Sequence, residues 1–464
     1  GIAATEEQIV SQAKRWLRDE IKSGVQTIQF QENTFSSSNG QTPFVSIFMY
    51  LNEEPEYIKE TAMIAEEILK LRYDGMENEY GVKVTPAFPK LLYVLDDNNV
   101  PADSEYRWLT DLAIKCSARR MNPDYISAKI MRQQFDGQVF PCMGCRSFLS
   151  PWKDENGEYK FYGRFNRGVV TLNLVDLALT ANKDEERFWQ ILDERLELVK
   201  EALLIKDGIL RHASTNVSPI HWQYGALARL SKDDTIDRYL DNGYSSISMG
   251  YIGIYEMCMA MKGVSNTDPV GEEFAYRVMQ YLEKKTIEWR QIDGLHGCSL
   301  YGTPSESLCY KFAQKTAKRF GEIHNITDKE WFTNSYHVCV TEEIDAFSKL
   351  KFEAKFQALS KGGAVSYIEI PNMEHNLSAL GQVIEFMYNN IQYAEVNTRS
   401  GDSCGTCGFS GEMACDNNLE WYCPQGGERN RNKLSVSRRT CGYIGSSWWN
   451  RGKTAEIKER VQHL

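Results

Sequence analysis

Residues 439–445 read RTCGYIG, close to the C-terminal end of the sequence. A glycine in such a run is most often a turn residue, because glycine adopts backbone conformations that other residues avoid. A second interpretation is chemical. A radical on a glycine Cα is delocalised into both adjacent peptide groups, and the missing Cβ lets those groups become coplanar with it. Gly442 is therefore either a turn residue or the site of a stored radical, and the sequence around it must decide.

A cluster of cysteines precedes this stretch. Cys404 and Cys407 form a CxxC pair, and Cys423 begins a second knuckle, CPQGG. In a zinc ribbon, two CxxC pairs place four thiolates at tetrahedral corners, and the metal folds a segment too small for its own core. Here Gly426 occupies the fourth position, and Cys415 lies between the pairs, off the ribbon spacing. We predict zinc at Cys404, Cys407 and Cys423; the alternative is a loop without metal.

The wider sequence resembles a known family. RTCGYIG near a C-terminus, after a CxxC segment, is similar to the glycyl radical motif of the anaerobic (class III) ribonucleoside-triphosphate reductases. Further blocks resemble the same family in order along the chain: NGQTPF (39–44), FPKLLY (88–93), MGCRSFLSPW (143–152), GRFNRGVVTLNL (163–174), SMGYIGIYE (248–256), TPSESL (303–308) and TNSYH (333–337). Chance agreement of so many ordered blocks is negligible, so the chain is identified as a member of this family.

The fold class is predicted as α/β. Helical apolar spacing alternates with short apolar runs, which is typical of strands buried on both faces. The resemblance implies a ten-stranded α/β barrel of two half-barrels, partial in this chain, with a finger loop through its centre and a small zinc-ribbon-like C-terminal segment. The predicted helices are 5–22, 57–72, 104–120, 184–204, 266–286, 341–351 and 377–391, and the predicted strands are 90–95, 168–174, 246–252 and 364–370.

The predicted domain organisation has three parts. Residues 1–395 form the barrel domain, and its finger loop lies near 142–147. The cysteine-rich zinc-binding segment covers 396–430, where the composition changes to Gly, Asn, Ser, Arg and Cys. The glycyl radical domain covers 431–464.

The resemblance assigns a radical relay to two residues. Cys145, in MGCRSFL, matches the cysteine at the finger-loop tip that becomes a thiyl radical. The Gly442 radical would take the hydrogen of the Cys145 thiol, and the thiyl radical would abstract the 3′ hydrogen of the ribose, after which the 2′ hydroxyl can leave as water. A thiol suits this step because its S–H bond strength is close to those of the two C–H bonds. Cys142 forms a CxxC with Cys145, and we interpret it as incidental.

The resemblance also assigns a reductant. Asn166, in GRFN, matches the asparagine that orients formate in the formate-dependent branch, so formate is the expected reductant, leaving as carbon dioxide. An asparagine amide can hydrogen-bond a carboxylate or a ribose hydroxyl without titrating. The alternative is an ordinary turn asparagine.

TPSESL predicts a helix start. Thr303 would be the N-cap, Pro304 would occupy the first turn, and Glu306 would complete a capping box. Free backbone N–H groups at a helix N-terminus bind phosphate, and the resemblance implies that this region binds the phosphates of the substrate. The predicted substrate-binding residues are Thr303, Pro304, Ser305, Glu306 and Ser307. The alternative is a plain helix cap, and we assign no role to His337 in TNSYH.

One expected block is missing. The resemblance implies a first barrel strand with an HxHD-type block and a second active-site cysteine, and often an ATP cone, upstream of the finger loop. This chain has 144 residues before Cys145, and its first histidine is His212. Cys116 lies in a helical pattern and is not taken for the missing cysteine. We expect either a C-terminal part of a longer polypeptide or a separate N-terminal chain that supplies the segment, and no reductase activity from 1–464 alone.

Composition restricts the partners. The 53 basic and 63 acidic residues give a net charge of −10, which argues against nucleic acid as a partner. A mean hydropathy of −0.46 and the lack of a signal peptide or a bilayer-length apolar run predict a soluble cytoplasmic protein without membrane contact. The resemblance implies a homodimer, a ribonucleoside triphosphate substrate, dNTP or ATP effectors, and a separate activase that uses S-adenosylmethionine and a 4Fe-4S cluster.

Three functions stay open at this point. The first is oxygen-sensitive radical reduction of ribonucleoside triphosphates to 2′-deoxyribonucleoside triphosphates. The second is another glycyl radical enzyme, such as an acyl lyase or dehydratase, which shares the chemistry but not TPSESL, TNSYH or the zinc segment. The third is a catalytically silent zinc-containing subunit, or a half-enzyme that needs a separate N-terminal chain.

Overall fold

The computed structural model describes residues 5–34, 44–304, 307–399, 401–440, 442–446 and 449–464. The helices α1–α13 are Glu6–Thr34, Ile58–Asp74, Arg107–Arg120, Ala128–Gln134, Leu174–Ala181, Glu185–Leu210, Pro219–Trp222, Ile254–Lys262, Pro269–Trp289, Leu308–Phe320, Ala346–Leu359, Leu377–Asn390 and Arg451–Glu459. The strands β1–β17 are Ser46–Met49, Met76–Glu77, Lys83–Val84, Lys90–Leu95, Asp124–Ser127, Asn166–Asn173, Ser246–Ile252, Cys298–Gly302, Ser366–Ile370, Tyr393–Thr398, Asp402–Cys404, Ser410–Gly411, Ala414–Cys415, Trp421–Tyr422, Leu434–Ser435, Ser437–Arg439 and Ile444–Ser446.

The first helix shows how local sequence sets an element boundary. The N–H of Thr5 donates to Gln8 Oε1 at 3.0 Å, and the N–H of Gln8 donates to Thr5 Oγ1 at 3.3 Å, which is the predicted capping box. The helix runs to Thr34, well past its predicted end at residue 22, because no proline interrupts it and its later turns bury Val25 and Gln29. A single internal glycine costs only about 1 kcal/mol and does not stop it.

Eight strands build the barrel. One sheet has the order β1-β4-β5-β10-β9, and the other has the order β6-β7-β8. Strands β1, β4 and β5 are parallel, β10 is antiparallel to β5, and β9 is parallel to β10. The two sheets meet where the N–H of Gly302, at the end of β8, donates to Gly363 O at 2.9 Å, just before β9. Among the described strands, β1 and β6 are the two edges of this series.

The barrel strands are buried between helices, as α/β architecture requires. All six residues of β4 and all seven of β7 are buried. One core cluster lies between the β6-β7-β8 sheet and helices α5, α6, α8 and α9, and another lies between the five-stranded sheet and helices α2, α3 and α12. In the part of the chain that the structure describes, no helix is both long enough and apolar enough to cross a membrane.

The C-terminal segment has its own small core. Strand β11 pairs with β12 and β15, and β13 pairs with β14. The core residues are Cys404, Met413, Trp421, Cys423, Leu434, Val436 and Ile457. Seven side chains are a small core for a segment of this length. A bound metal stabilises such a segment, because its binding free energy adds to the free energy of folding. The domain boundaries at 395 and 430 stay predictions.

Candidate active site

A tight turn carries Cys145 at its tip. The N–H of Met143 donates to Ser147 O at 2.7 Å, and the N–H of Ser147 donates to Met143 O at 3.2 Å. Between them, Gly144 has φ +61°, a left-handed conformation that glycine adopts without strain. At the base of the turn, the N–H of Phe148 donates to Gly362 O at 3.0 Å. Cys145 is thus presented on a closed turn in the segment where the finger loop is predicted.

Gly442 lies directly against the backbone of Cys145. A Cβ at position 442 would overlap the carbonyl oxygen of Cys145, and it would lie 2.9 Å from the carbonyl carbon and 3.3 Å from the Cα of Cys145. The φ of Gly442 is +102°, which L residues rarely adopt. Both the contact and the backbone conformation therefore require glycine here. The fold brings together two residues that are 297 positions apart in sequence (442 − 145).

A buried ion pair lies behind the Cys145 carbonyl. Lys90 Nζ, at the start of β4, donates to Cys145 O at 2.5 Å and lies 3.3 Å from Asp124 Oδ2. The Tyr393 hydroxyl donates to Asp124 Oδ2 at 2.6 Å and is 3.3 Å from Cys145 O. Burial raises the pKa of Tyr393 well above its ordinary value, so the hydroxyl keeps its proton. Three side chains from β4, β5 and β10 thereby fix the tip of the turn.

Arg439 connects the RTCGYIG stretch to the same acid. Its guanidinium forms ion pairs with Asp124 and, at 3.3 Å, with Glu395 of β10, and the Arg439 side chain is only 1% exposed. Burying an unpaired charge is costly, whereas here two acids face two cations, Arg439 and Lys90. We define Lys90, Asp124, Tyr393, Glu395 and Arg439 as the tip network.

Sequence reasoning missed most of the tip network. One signal was available, because Lys90 is the charged first residue of the strand KLLYVL, which is otherwise apolar and fully buried. A fully buried lysine needs an acidic or carbonyl partner. Asp124 and Glu395 gave no comparable signal, since acidic residues are common in sequences and only the fold brings these two together.

Asn166 joins the turn to the second sheet. At the start of β6, its Nδ2 donates to Ser248 Oγ of β7 at 2.9 Å and lies 3.4 Å from Ser147 Oγ, two residues beyond Cys145. Its Oδ1 accepts the N–H of Gly168 at 2.7 Å. The structure therefore brings the predicted catalytic residues Asn166 and Gly442 close to the turn at 143–147 that carries the third, Cys145.

The helix start predicted in TPSESL is wrong. Helix α10 begins at Leu308 with Ser307 as its N-cap, instead of at Pro304 with Thr303 as N-cap. Thr303 continues past the end of β8, and its Oγ1 lies 3.0 Å from Thr171 Oγ1. The physical reason is that the Thr303 hydroxyl, which an N-cap residue would turn toward the helix backbone, pairs with Thr171 across the sheet instead. Ser305 and Glu306 lie outside the described residues, so the phosphate contacts predicted for them stay predictions.

The TNSYH block is buried along its whole length. His337 Nε2 lies 2.7 Å from Val365 O, and burial lowers the pKa of His337 well below its usual value, so the ring is neutral and donates this hydrogen bond. Thr333 donates from its N–H (2.7 Å) and its hydroxyl (2.8 Å) to Glu256 Oε1. Burial raises the pKa of Glu256 to about 7, against the opposing hydrogen bonds of Thr333.

The cysteine triad is a second candidate site. The Sγ atoms of Cys404, Cys407 and Cys423 lie within 4.8 Å of one another, and those of Cys407 and Cys423 are 3.5 Å apart. Sulfur atoms about 2.3 Å from a tetrahedral zinc ion are about 3.8 Å apart, so the triad fits zinc. The N–H of Gly426 donates to Cys423 Sγ at 3.3 Å. Cys415 lies apart from the triad, with its Sγ 3.9 Å from Asp416 O.

Comparison with known proteins identifies the family. A family model described as anaerobic ribonucleoside-triphosphate reductase matches residues 8–463. The chain belongs to this family. The anaerobic ribonucleoside-triphosphate reductase of Escherichia coli (strain K12) is 38% identical over 448 residues, which cover 95% of this chain and 61% of that protein. The reductase of Enterobacteria phage T4 is 37% identical over 455 residues, covering 96% and 72%. The chain therefore spans about three fifths of the Escherichia coli relative.

Solved structures show the fold of this family member. The anaerobic ribonucleotide reductase from Thermotoga maritima with glycerol in the active site has a TM-score of 0.67 at 17% identity, covering 96% of this chain and 68% of that one. A hydroxyproline dehydratase from Clostridioides difficile has a TM-score of 0.55 at 11% identity, covering 93% and 58%. The predicted fold class, the α/β barrel of ribonucleotide reductases and glycyl radical enzymes, is confirmed.

Proposed function

We propose that this chain carries the radical-bearing part of an anaerobic reductase that converts ribonucleoside triphosphates to 2′-deoxyribonucleoside triphosphates. One observation carries the proposal: Gly442 packs so closely on Cys145 that no Cβ fits between them. A turn glycine needs only its unusual φ, whereas a relay also needs the two residues in contact. With formate as reductant the overall reaction balances as ribonucleotide plus formate plus a proton giving deoxyribonucleotide, carbon dioxide and water.

In the proposed relay, the Cys145 thiol gives its hydrogen atom to the Gly442 Cα radical and becomes a thiyl radical. Cys145 then abstracts the 3′ hydrogen of the ribose, and it returns a hydrogen atom to that carbon at the end of turnover. The contact of Gly442 with the Cys145 backbone supports the first hydrogen transfer, because groups that are already held in position do not lose translational and rotational entropy when they react.

The tip network would hold Cys145 in place during these transfers. Lys90 and Tyr393 both reach the Cys145 carbonyl oxygen, so the backbone at the tip is fixed. Arg439 extends the same network into the strand that leads to Gly442. One set of buried charges thereby links the donor and the acceptor of the hydrogen atom.

Asn166 is proposed to orient formate. Its amide already bonds Ser248 and lies close to Ser147, so its position relative to the turn is fixed before any substrate enters. A neutral amide leaves formate anionic, as a hydride- or electron-donating carboxylate requires.

Substrate, effectors and partners are proposed from the family. Structures of the Thermotoga maritima enzyme are described with dATP bound in the specificity site and in complex with dATP and CTP. By analogy we propose a ribonucleoside triphosphate substrate near the N-terminus of α10, dNTP or ATP effectors, a homodimer, and activation of Gly442 by a separate S-adenosylmethionine-dependent iron–sulfur enzyme.

A half-enzyme is the second candidate function, and the sheet edges favour it. The described strands supply eight of the ten that the family barrel implies, and they leave β1 and β6 as edges. An unpaired strand edge inside a barrel exposes backbone N–H and C=O groups that need partners. We therefore propose that a further polypeptide segment completes the barrel between β1 and β6 before turnover is possible.

The cysteine triad is proposed to bind zinc. Cys404, Cys407 and Cys423 would hold the ion, which when bound cross-links a segment that has only a small core of its own. Strand β16, which leads to RTCGYIG, follows this segment directly. The zinc would thereby stabilise the platform from which the Gly442 loop extends.

The deciding experiment is anaerobic activation followed by a CTP and formate assay, with and without an N-terminal polypeptide from a relative. We expect an electron paramagnetic resonance doublet that Gly442→Ala abolishes, and consumption of labelled formate only when the N-terminal polypeptide is present. A doublet unaffected by Gly442→Ala would contradict the radical assignment. Robust turnover by the chain alone would contradict the half-enzyme, and turnover without formate consumption would contradict the reductant.

A further inference from the structure

Position 426 faces the cysteine triad but offers no ligand. A Cβ at Gly426 would lie 3.1 Å from Cys407 Sγ and 3.9 Å from Cys423 Sγ. These are the distances of a side chain that points into the sulfur cluster. A cysteine at 426 would complete the second CxxC. Position 426 is therefore where a fourth protein ligand would arise, and its glycine has no side chain to supply one.

The backbone does not explain the glycine. Gly426 lies outside the left-handed region, in contrast to its neighbour Gly427, which has φ +66°. A Cβ at 426 would require the Cys407 side chain to move by a few tenths of an ångström. The chain could therefore accept a fourth thiolate and carries none at this position.

No other side chain takes the fourth corner in the described part of the chain. Among those residues, no additional His, Cys, Asp or Glu ligand atom joins Cys404, Cys407 and Cys423. Cys415 is in β13 and makes its contact with Asp416. Gly426 and Cys407 are both exposed, so solvent reaches this side of the cluster.

We propose that the metal at this triad has three thiolate ligands and a fourth coordination position, beside Gly426, that is open to a small exogenous ligand. Water would occupy the position in dilute buffer. A low-molecular-weight thiol would replace it by losing its proton to the buffer, binding as thiolate and releasing the water. Structural zinc sites are normally closed by four protein ligands, whereas a site with three protein ligands exchanges its fourth. This inference rests on the proposed zinc site.

Cobalt(II) absorption of the full chain tests the proposal, because the sulfur-to-cobalt charge-transfer band reports the number of thiolates. We compare the wild type with Gly426→Cys, which adds a thiolate, and with Gly426→Ala, which fills the same space without one. Gly426→Cys should raise the band by roughly a third, since it changes three thiolates to four. Gly426→Ala should keep the wild-type intensity.

Titration with 2-mercaptoethanol tests whether the position is open. In the wild type the band should rise with saturation towards the Gly426→Cys value, and in Gly426→Cys it should not change. Transfer of zinc to a chromophoric chelator should be at least about tenfold slower from Gly426→Cys, because even indirect partners of a metal ligand are worth about 10–100-fold. Cys415→Ser should titrate like the wild type.

The outcomes separate the inference from the zinc site itself. A four-thiolate band in the untreated wild type, or one that Cys415→Ser lowers, would overturn the open position while leaving the metal site standing. Failure of every variant to bind zinc or cobalt would overturn the metal site and this inference with it. Should Gly426→Cys not fold, as judged by circular dichroism, the wild-type thiol titration still decides: no saturable rise overturns the proposal.

Discussion

The Cα of Gly442 faces the carbonyl group of Cys145 so closely that a Cβ at 442 would overlap the Cys145 oxygen. The glycine is thus required by its neighbour as well as by its φ of +102°. A side chain at 442 would push the turn that carries the thiol away from the Gly442 Cα. The same feature that stabilises a Cα radical, the missing Cβ, also permits this close approach to the Cys145 backbone.

Gly442→Ala should abolish the radical signal and, in the presence of the N-terminal polypeptide, turnover as well. The turnover measurements for the other variants include the same polypeptide. The alanine Cβ overlaps the Cys145 carbonyl, and its φ is strained by roughly 1–2 kcal/mol. We expect no doublet in electron paramagnetic resonance after anaerobic activation, and a free energy of unfolding lowered by at least about 2 kcal/mol.

Gly263→Ala is the matched control for that variant. Gly263 also has a positive φ, +74°, but a Cβ there meets nothing within 4 Å. It should lose only the backbone strain, about 1 kcal/mol, and keep the doublet and turnover. Equal losses in stability for the two variants would mean that the contact with Cys145 contributes nothing.

Cys145→Ser should separate radical storage from radical transfer. An O–H bond is much stronger than an S–H bond, so serine cannot pass its hydrogen atom to Gly442. We therefore expect a normal glycyl doublet and no detectable deoxyribonucleotide. Cys142→Ser is the comparison, because Cys142 is the other thiol of the CxxC and lies with its Sγ 4.0 Å from Cys145 O. Cys142→Ser should retain most of the turnover. A complete loss of turnover in that variant would mean that the assignment of the thiyl radical to Cys145 is wrong.

Several elements could be predicted from sequence because a single local pattern determines them. The strands 90–95 and 246–252 were predicted with their observed bounds, since each is a short run buried along its whole length. Strand β10, with the sequence YAEVNT, was missed because its buried Glu395 looks exposed by composition, and the ion pair with Arg439 that accompanies its burial forms only in the fold. A strand that carries charged residues into a barrel interior lacks the continuous apolar run by which a buried strand is predicted from sequence.

The site was predictable only in part, for a related reason. The motifs located Cys145, Asn166 and Gly442, but the residues that hold the turn come from strands far apart in sequence, and nothing local marks Asp124 as their common partner. Thr303 was predicted as a helix N-cap because the residues after it match a capping box, whereas its hydroxyl contacts Thr171 across the sheet. A tertiary contact overrode a local signal.

Lys90→Met should destabilise the fold and slow the radical transfer. It removes the donor to Cys145 O and one of the two cations beside Asp124. Breaking a buried ion pair costs roughly 3–5 kcal/mol, and the remaining Arg439 pair should keep the loss near the lower value. The loosened turn should lower kcat at least about tenfold, since small misplacements are costly in positioned reactions.

Lys83→Met is the control for Lys90→Met. Lys83 pairs with Glu77 at 3.4 Å, but both side chains are more than half exposed, so the change should be within about 1 kcal/mol. Urea denaturation and single-turnover kinetics give the two readouts. A Lys90→Met protein as stable as Lys83→Met would show that the tip network contributes nothing to the stability of the fold.

Glu256→Gln should change stability in a way that depends on pH. Burial raises the pKa of Glu256 to about 7, so its carboxylate is disfavoured in the folded state. Below about pH 4.5 the group is protonated in both the folded and the unfolded chain and contributes nothing. As pH rises, the unfolded chain ionises first, and the folded state loses up to about 3 kcal/mol by pH 8.

Glutamine carries no such penalty, and its Oε1 can still accept the N–H and hydroxyl of Thr333 that Glu256 now accepts. Its amide is buried where Glu256 Oε2 has no hydrogen-bond partner among the described residues, which costs about 1–3 kcal/mol at every pH. The test is therefore the difference in urea midpoint between variant and wild type, measured at pH 4.5 and pH 8. That difference should move in favour of the glutamine variant as pH rises. Glu77→Gln, on an exposed side chain, is the control, and its free energy of unfolding should differ from wild type by less than about 0.5 kcal/mol at both pH values. If the difference between Glu256→Gln and wild type were also the same at pH 4.5 and pH 8, Glu256 would titrate at its ordinary pKa.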